Sequence, residues 1–183
     1  VSNPNVLVAG CGTGQHPINR ASYYKNSKLL AIDLSLNSLA YAKRKSQEFN
    51  ISNVEYMQAD ILDIAKIGKS FDIVESVGVL HHMKEPMEGW RALVSCLKPG
   101  GLMCIGLYSK IARKQIIDLR KKIKQLNVGI SADAMRSFRR DIQISDAEKF
   151  NDMKSYADIY SLSEWRDLLF HVQEHQFTAP QIK

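Results

Sequence analysis

The chain has 183 residues, of which 45% are hydrophobic and 24% charged, and its formal net charge is +6. This composition fits one well-packed domain with an appendage, and it argues against a disordered chain, a collagen-like protein and a disulfide scaffold. The three cysteines form no close pair, and no apolar run reaches the roughly 20 residues of a membrane-spanning helix. We therefore expect a cytoplasmic protein without a membrane partner.

Five short apolar runs predict the strands of a buried parallel sheet. They are Asn5–Ala9, Lys28–Asp33, Asn53–Gln58, Phe71–Ser76 and Leu102–Tyr108. The segments between them carry helical patterns, of which the clearest are Gln15–Tyr24, Ser35–Phe49 and Pro86–Leu97. Strands that alternate with helices predict an α/β fold with a Rossmann-like, doubly wound sheet and right-handed crossovers. We assign residues 1–109 to this domain.

Two local signals mark helix ends in this domain. Ser35 is a suitable N-cap, because its hydroxyl can accept a hydrogen bond from a free N–H of the first helical turn. The sequence Lys98-Pro99-Gly100-Gly101 predicts a stop between the last helix and the last strand.

Residues 110–183 show helical patterns without a further strand, and we interpret them as a helical segment that covers the substrate. The first predicted helix is Lys110–Leu126. The second follows Ser131 and is interrupted near Ile142–Ser145. A third begins with Ser163 as its N-cap.

The positive charge is concentrated at the start of this helical segment. Between Lys110 and Arg140, ten basic residues oppose only Asp118 and Asp133. Such a segment could bind RNA or another anionic partner, either as part of an enzyme that acts on RNA or as a simple binding module. Charge runs more often form a solvated helix face, so nucleic acid is not the favoured partner.

A glycine-rich loop follows the first predicted strand. It reads Gly10-Cys11-Gly12-Thr13-Gly14, and the second strand ends at Asp33. Glycines here let the backbone turn tightly and approach a ligand at the carboxyl edge of the sheet, where such folds bind nucleotides. The dinucleotide fingerprint G-x-G-x-x-G requires glycine where the chain has Gln15, so an NAD-dependent oxidoreductase is the weaker alternative.

Several motifs, in order, resemble those of the class I S-adenosylmethionine-dependent methyltransferases over residues 4–108. The motifs are VLVAGCGTGQ from Val6, the acid Asp33, Gln58-Ala59-Asp60-Ile61, Val79-Leu80-His81-His82 and Leu97-Lys98-Pro99-Gly100-Gly101. The resemblance implies S-adenosyl-L-methionine as cofactor and S-adenosyl-L-homocysteine as product. Our hypothesis for the methyl acceptor is a small molecule or a protein side chain, and the alternative is an RNA methyltransferase that uses the basic segment 110–140. It implies a cofactor site made of Gly10, Cys11, Gly12, Gly14, Asp33, Leu34, Asp60, Ile61 and Val77.

Three of these residues also have structural interpretations. Asp33 could be a helix-capping neighbour of Ser35, and Asp60 could be the N-cap of a segment that begins at Ile61. Cys11 is better explained as a small packing residue than as a nucleophile.

Two histidines after the fourth strand are the candidate catalytic residues. His81 and His82 lie where an acceptor would approach, and either could take its proton. A structural or packing role is the alternative for at least one of them. Adjacent histidines do not share a helical face, so we predict no metal site here.

The sequence from Ser155 to Ile182 resembles the segment after the core in bacterial methyltransferases joined to tetratricopeptide repeats. Our candidates for an acceptor pocket in the helical segment are Tyr108, Tyr156, Tyr160 and His171. His171 and His175 have the i, i+4 spacing of a helical metal site, but such a pair more often packs against a core.

Methyltransferases of this class usually close the sheet with a sixth and a seventh strand. We find no convincing pair of strands after Tyr108. The fifth strand is then expected to have an open edge, which predicts either a longer parent chain or a homodimer.

Overall fold

The computed structural model describes residues 2–24, 26–145, 150–151, 153–154 and 157–182. The chain folds as two compact units, of which the first ends at Leu107 and the second begins at Tyr108. The structural boundary therefore lies just before the one predicted after Ser109. Each unit has its own buried core, as expected of separate packing units.

The first unit contains a five-stranded parallel sheet in the order β3-β2-β1-β4-β5. The strands are β1 (Asn5–Ala9), β2 (Lys28–Asp33), β3 (Val54–Gln58), β4 (Phe71–Val77) and β5 (Leu97–Gly106). The predicted doubly wound fold is confirmed. The strand order reverses between β1 and β4, and in such sheets the reversal opens a crevice at the carboxyl ends of the strands.

Helical segments connect these strands, and their ends lie close to the predicted ones. They are α1 (Gln15–Tyr23), α2 (Leu36–Glu48), two 3-10 helices (Ile61–Ile67 and Leu80–His82) and α3 (Pro86–Ser95). Ser35 is the N-cap of α2, and its Oγ accepts a hydrogen bond from the Ser38 N–H at 3.2 Å. The predicted cap is therefore confirmed.

The start of β5 differs from the prediction. We expected Lys98-Pro99-Gly100-Gly101 to separate α3 from the strand, but β5 already begins at Leu97. Phe71 of β4 pairs with Leu97 and Ile73 pairs with Leu102, so the four residues between form a bulge within the strand. Gly100 fits this bulge because its φ of +77° is unfavourable for other residues.

Alternate residues of the central strand are buried on opposite faces of the sheet. Leu7 and Ala9 belong to one apolar cluster, and Val6 and Val8 pack on the other face together with Ala21 of α1. Each of these five side chains is at most 2% exposed. Both faces of the sheet are therefore covered at β1, and ligands of such sheets bind in the crevice at the carboxyl edge.

The second unit is helical. It contains α4 (Lys114–Gln125), α5 (Ala132–Ser145), a 3-10 helix (Ala157–Ile159), α6 (Leu162–Phe170) and the short α7 (Ala179–Ile182). Its core includes the fully buried side chains of Ile116 from α4, Met153 and Trp165 from α6. The helix predicted from Lys110 begins later, at Lys114, after a turn in which Arg113 N–H donates to the Ser109 carbonyl.

The interruption predicted near Ile142–Ser145 falls where α5 ends, since Met135, Phe138 and Ile142 form one buried stripe and the helix ends at Ser145. The predicted start of the third helix is wrong. The N-cap of α6 is Ser161 rather than Ser163. Ser161 Oγ accepts a hydrogen bond from the Glu164 N–H at 3.1 Å, and its hydroxyl donates to the Glu164 carboxylate at 2.8 Å.

Candidate functional site

The glycine-rich loop between β1 and α1 has three glycines with different surroundings. Gly10, Gly12 and Gly14 have φ values of +76°, +53° and +92°. A Cβ on Gly10 would lie 2.4 Å from a methyl of Val79, and one on Gly14 would lie 2.6 Å from Ala42 Cβ. A Cβ on Gly12 would meet nothing within 4 Å. Packing therefore requires Gly10 and Gly14, whereas Gly12 presents an open backbone surface.

Asp33, at the end of β2, is bonded to this loop. Its Oδ2 accepts the Gly12 N–H at 2.8 Å, and its Oδ1 accepts the Ser35 N–H at 2.9 Å. The contact with Ser35 is the helix-capping role considered from the sequence, and the contact with Gly12 adds a second role. An ionised carboxylate has about four acceptor positions, so Asp33 can still accept hydrogen bonds from a ligand.

The end of β3 lies beside Asp33, because Asp33 pairs with Gln58 in the sheet. Asp60 is the N-cap of the 3-10 helix that begins at Ile61, as the structural interpretation predicted. Its Oδ1 accepts a hydrogen bond from the Leu62 N–H at 2.9 Å. Ile61 is 7% exposed and belongs to the apolar core. Leu34, in contrast, is 65% exposed.

Val77 and the two histidines follow β4. Val77 is about half exposed at the end of the strand. His81 is fully buried, and its ring packs edge-on against that of His82 with 4.3 Å between the ring centroids. A proton acceptor must come within hydrogen-bonding distance of the substrate, so burial argues against His81 in that role. His82 is partly exposed, and we retain the catalytic prediction for His82.

An ion cluster on β4 and α1 was missed by the sequence analysis. Glu75 Oε2 contacts His16 Nε2 at 2.6 Å and accepts a hydrogen bond from Arg20 Nε at 2.8 Å. The Glu75 side chain is 4% exposed, whereas His16 and Arg20 are 31% and 35% exposed. Burial raises the pKa of the Glu75 carboxyl, but the His16 hydrogen bond and the Arg20 charge outweigh it and hold that pKa below its ordinary value.

Two sequence signals could have pointed to this cluster. Glu75 is an acid inside an apolar strand, which predicts a paired rather than a solvated carboxylate. His16 and Arg20 have i, i+4 spacing on the helix that follows the glycine loop, so they share one helix face.

Residues 6–101 match the family model described as a methyltransferase domain, which is more than half of the chain. The chain belongs to the methyltransferase domain family. S-adenosylmethionine is the cofactor of this domain, as predicted, and the NAD-dependent alternative finds no support in the match. The open Gly12 surface and the Asp33 carboxylate at the carboxyl edge fit an adenosyl ligand, which needs close backbone approach and acceptors for its ribose hydroxyls.

Similar proteins are longer than this chain. A Synechococcus protein, "Uncharacterized protein syc1184_c", is 35% identical over 127 residues, which are 69% of this chain and 30% of that protein. The (S)-coclaurine N-methyltransferase of Thalictrum flavum subsp. glaucum is 35% identical over 44% of this chain and 22% of its own length. A ubiquinone biosynthesis O-methyltransferase of Acinetobacter baumannii is 28% identical over 55% of this chain and 42% of its own. The chain thus spans less than half the length of these relatives.

Two solved structures extend the comparison. A coclaurine N-methyltransferase bound to N-methylheliamine and SAH is 27% identical, with a TM-score of 0.53 over 57% of this chain and 31% of that chain. PKMT2 from Rickettsia typhi superposes over 99% of this chain and 37% of its own with a TM-score of 0.80. At 20% identity the second likeness concerns the fold.

Three of the four predicted acceptor residues of this methyltransferase chain lie in the described part of the second unit, and Tyr156 lies outside the described residues. The Arg113 guanidinium stacks over the Tyr108 ring, 3.5 Å from its centroid, and burial raises the pKa of Tyr108. Tyr160 is 68% exposed, and its hydroxyl donates to the Lys154 carbonyl at 3.0 Å.

His171 does not belong to a helical histidine pair. The helix α6 ends at Phe170, and His171 has the extended backbone of its C-cap. His171 and His175 therefore lack the common helix face that a metal pair would need. The His171 ring instead lies 3.1 Å from an Asp167 carboxylate oxygen. Within the part of the chain that the structure describes, no three His, Cys, Asp or Glu side chains form a potential metal site.

Part of the basic segment is used inside the second unit. Arg113 donates two hydrogen bonds to the Glu174 carboxylate, at 3.0 and 2.9 Å, and Arg120 Nη1 donates a third at 2.8 Å. The Glu174 side chain is 1% exposed. Burial raises its pKa, but the hydrogen bonds from Gln176 and Arg113 and the nearby arginine charges outweigh this and lower it. Two cations of the predicted anion-binding surface are therefore bound to one buried carboxylate.

Cys11 has the environment of a packing residue. It is 6% exposed, and burial together with the nearby Asp33 charge raises the pKa of its thiol to about 12. A thiol with this pKa stays protonated at neutral pH and is a poor nucleophile.

No helix in the described residues has the length and apolarity needed to cross a bilayer.

Proposed function

We propose that the chain is the cofactor-binding and methyl-transferring part of an S-adenosylmethionine-dependent methyltransferase that acts on a small molecule or a protein side chain. The observation that carries this proposal is the open backbone surface of Gly12, held by the Asp33 carboxylate at the carboxyl edge of the sheet. Because the chain belongs to the methyltransferase domain family, we take S-adenosylmethionine to be the ligand of this surface.

We assign the adenosyl part of the cofactor to the β1 to β3 side of the crevice. Asp33 has acceptor capacity left for the ribose hydroxyls after binding Gly12 and Ser35. Asp60 uses Oδ1 for its capping bond, which leaves Oδ2 to accept from the adenine amino group. Leu34, exposed beside Asp33, supplies apolar surface for the adenosine.

The cofactor supplies an already activated methyl group, so the protein mainly has to hold the acceptor in line with the sulfur–methyl bond. Where the acceptor loses a proton, His82 is the residue we assign to take it, because it follows β4 and is partly exposed. Tyr108, Tyr160 and His171 remain our candidates for contacting the acceptor.

The acceptor classes differ in their support. The names of two relatives, an N-methyltransferase and an O-methyltransferase, favour a small-molecule acceptor. RNA is disfavoured because Arg113 and Arg120 are bound to Glu174 instead of being free for phosphates.

We also propose a cytoplasmic location, since Cys11, Cys96 and Cys104 are free thiols that a reducing compartment preserves.

Calorimetric titration with S-adenosylhomocysteine tests the cofactor assignment. We expect saturable binding, and Asp33→Asn should weaken it by about 10- to 100-fold because charge-assisted hydrogen bonds are lost. Asp63→Asn is the matched control, since Asp63 is exposed and pairs with Lys66 at 2.8 Å. Absence of binding by the unmodified chain, or equal effects of the two substitutions, would contradict the proposal.

A further inference from the structure

The cluster of Glu75, His16 and Arg20 has features of a binding element rather than of a simple ion pair. Two cationic or potentially cationic side chains converge on one oxygen of a carboxylate that is almost completely buried. The two partners come from the first and second turns of α1 and are each about one third exposed. A buried acid thus fixes two donors that face the solvent.

The guanidinium has donors left over in this arrangement. Arg20 reaches Glu75 through Nε, and a guanidinium carries five N–H bonds in a rigid plane. Fixing Nε therefore also fixes the direction of the Nη1 and Nη2 groups. A planar pair of N–H donors of this kind matches the two oxygens of a carboxylate.

The position of the cluster relates it to the glycine loop. Glu75 pairs with Val8 in the sheet, so it lies on the strand next to β1, on the side away from β2. The α1 helix begins directly after Gly14, and His16 lies in its first turn. Asp33 lies on β2, on the other side of β1. A ligand whose ribose reaches Asp33 and which crosses the open Gly12 surface therefore has its far end on the side of β4 and Glu75.

We propose that Arg20, oriented by the buried carboxylate of Glu75 and accompanied by His16, binds the α-carboxylate at the amino-acid end of the cofactor. This inference rests on the proposed function, because it needs an adenosyl amino acid in the crevice. In this arrangement Arg20 is the binding residue and Glu75 is a positioning residue. The incoming carboxylate would be held by the Nη1 and Nη2 groups of Arg20, because Glu75 is bound through Nε.

Two ligands separate this role from a structural one. S-adenosylhomocysteine has the amino-acid end, and 5′-methylthioadenosine has the same adenosine and sulfur without it. Arg20→Gln should weaken binding of S-adenosylhomocysteine by about 10- to 100-fold and leave that of 5′-methylthioadenosine within about twofold. Glu75→Gln should give the same selective loss with a smaller factor, because the amide oxygen can still accept from Arg20 but no longer carries a charge.

Arg44→Gln is the matched control, since Arg44 is 60% exposed and pairs with Glu48 on the surface of α2. It should leave both affinities unchanged. Equal weakening of both ligands by Arg20→Gln would mean that Arg20 only supports the fold, and no weakening would mean that it does not reach the ligand. Either result overturns the inference. If the unmodified chain binds neither ligand, the proposed function itself fails.

Discussion

Replacing Gly14 by alanine should destabilise the protein much more than the same replacement of Gly12. Both glycines have a positive φ, and a left-handed backbone costs other residues about 1–2 kcal/mol. At Gly14 the new methyl would also lie 2.6 Å from Ala42 Cβ and 3.0 Å from Ala42 Cα, where backbone would have to move. Overpacking of this kind costs about 1–3 kcal/mol. We expect the free energy of unfolding to fall by about 2–5 kcal/mol for G14A and by about 1–2 kcal/mol for G12A.

The same two variants should show the opposite order in cofactor binding. The methyl of G12A enters the open space in front of the loop, so it should obstruct S-adenosylhomocysteine without disturbing the core. Urea unfolding followed by circular dichroism measures the first effect, and calorimetry on the folded proteins measures the second. Equal destabilisation by the two substitutions would refute the packing argument. Undiminished binding by G12A would refute the assignment of the open surface to the ligand.

Two further predictions concern the second unit. The Glu174→Gln variant should lose about 3 kcal/mol of unfolding free energy at neutral pH, because Arg113 and Arg120 lose their buried anion. The folded-state pKa of Glu174 is lowered from its ordinary 4.5, so this stabilisation is present above that pH and disappears as pH falls through the lower folded value. Urea unfolding at several pH values should show the variant and the unmodified chain converging in acid, and a constant difference would count against the ion cluster. Ser161→Ala should lower the free energy of unfolding by about 1 kcal/mol, because the Glu164 N–H loses its acceptor, whereas Ser163→Ala should change it little. Thermal unfolding of the two variants measures the difference. A larger effect at Ser163 would contradict the cap at Ser161.

The features predicted correctly from the sequence are those set by neighbouring residues. The strands of the sheet follow from short apolar runs, and the Ser35 cap follows from a hydroxyl at the start of a helical pattern. The start of β5 was wrong because the register between β4 and β5 absorbs Lys98–Gly101 as a bulge, and register depends on the partner strand. The cap of α6 was misplaced although the S-x-x-E pattern at Ser161 was available locally.

The candidate site shows the same division. The glycine loop and Asp33 could be named from spacing, because they lie at the ends of consecutive predicted strands. The burial of His81 could not be predicted from the sequence, because it depends on how the 3-10 helix Leu80–His82 packs within the first unit. The contact of His16 with Glu75 joins residues 59 positions apart, and only the folded sheet brings them together.

The bulge in β5 has a consequence for assembly. Among the strands of the described residues, β5 pairs with β4 alone, so its outer side carries main-chain donors and acceptors that another strand could join. Lys98–Gly101 interrupts that side, and Pro99 has no N–H to offer. Regular augmentation is thereby confined to the stretch Leu102–Gly106, on the half of the edge nearer the crevice. An added strand, whether from a second copy or from elsewhere in a parent protein, could therefore pair regularly with only a short part of β5.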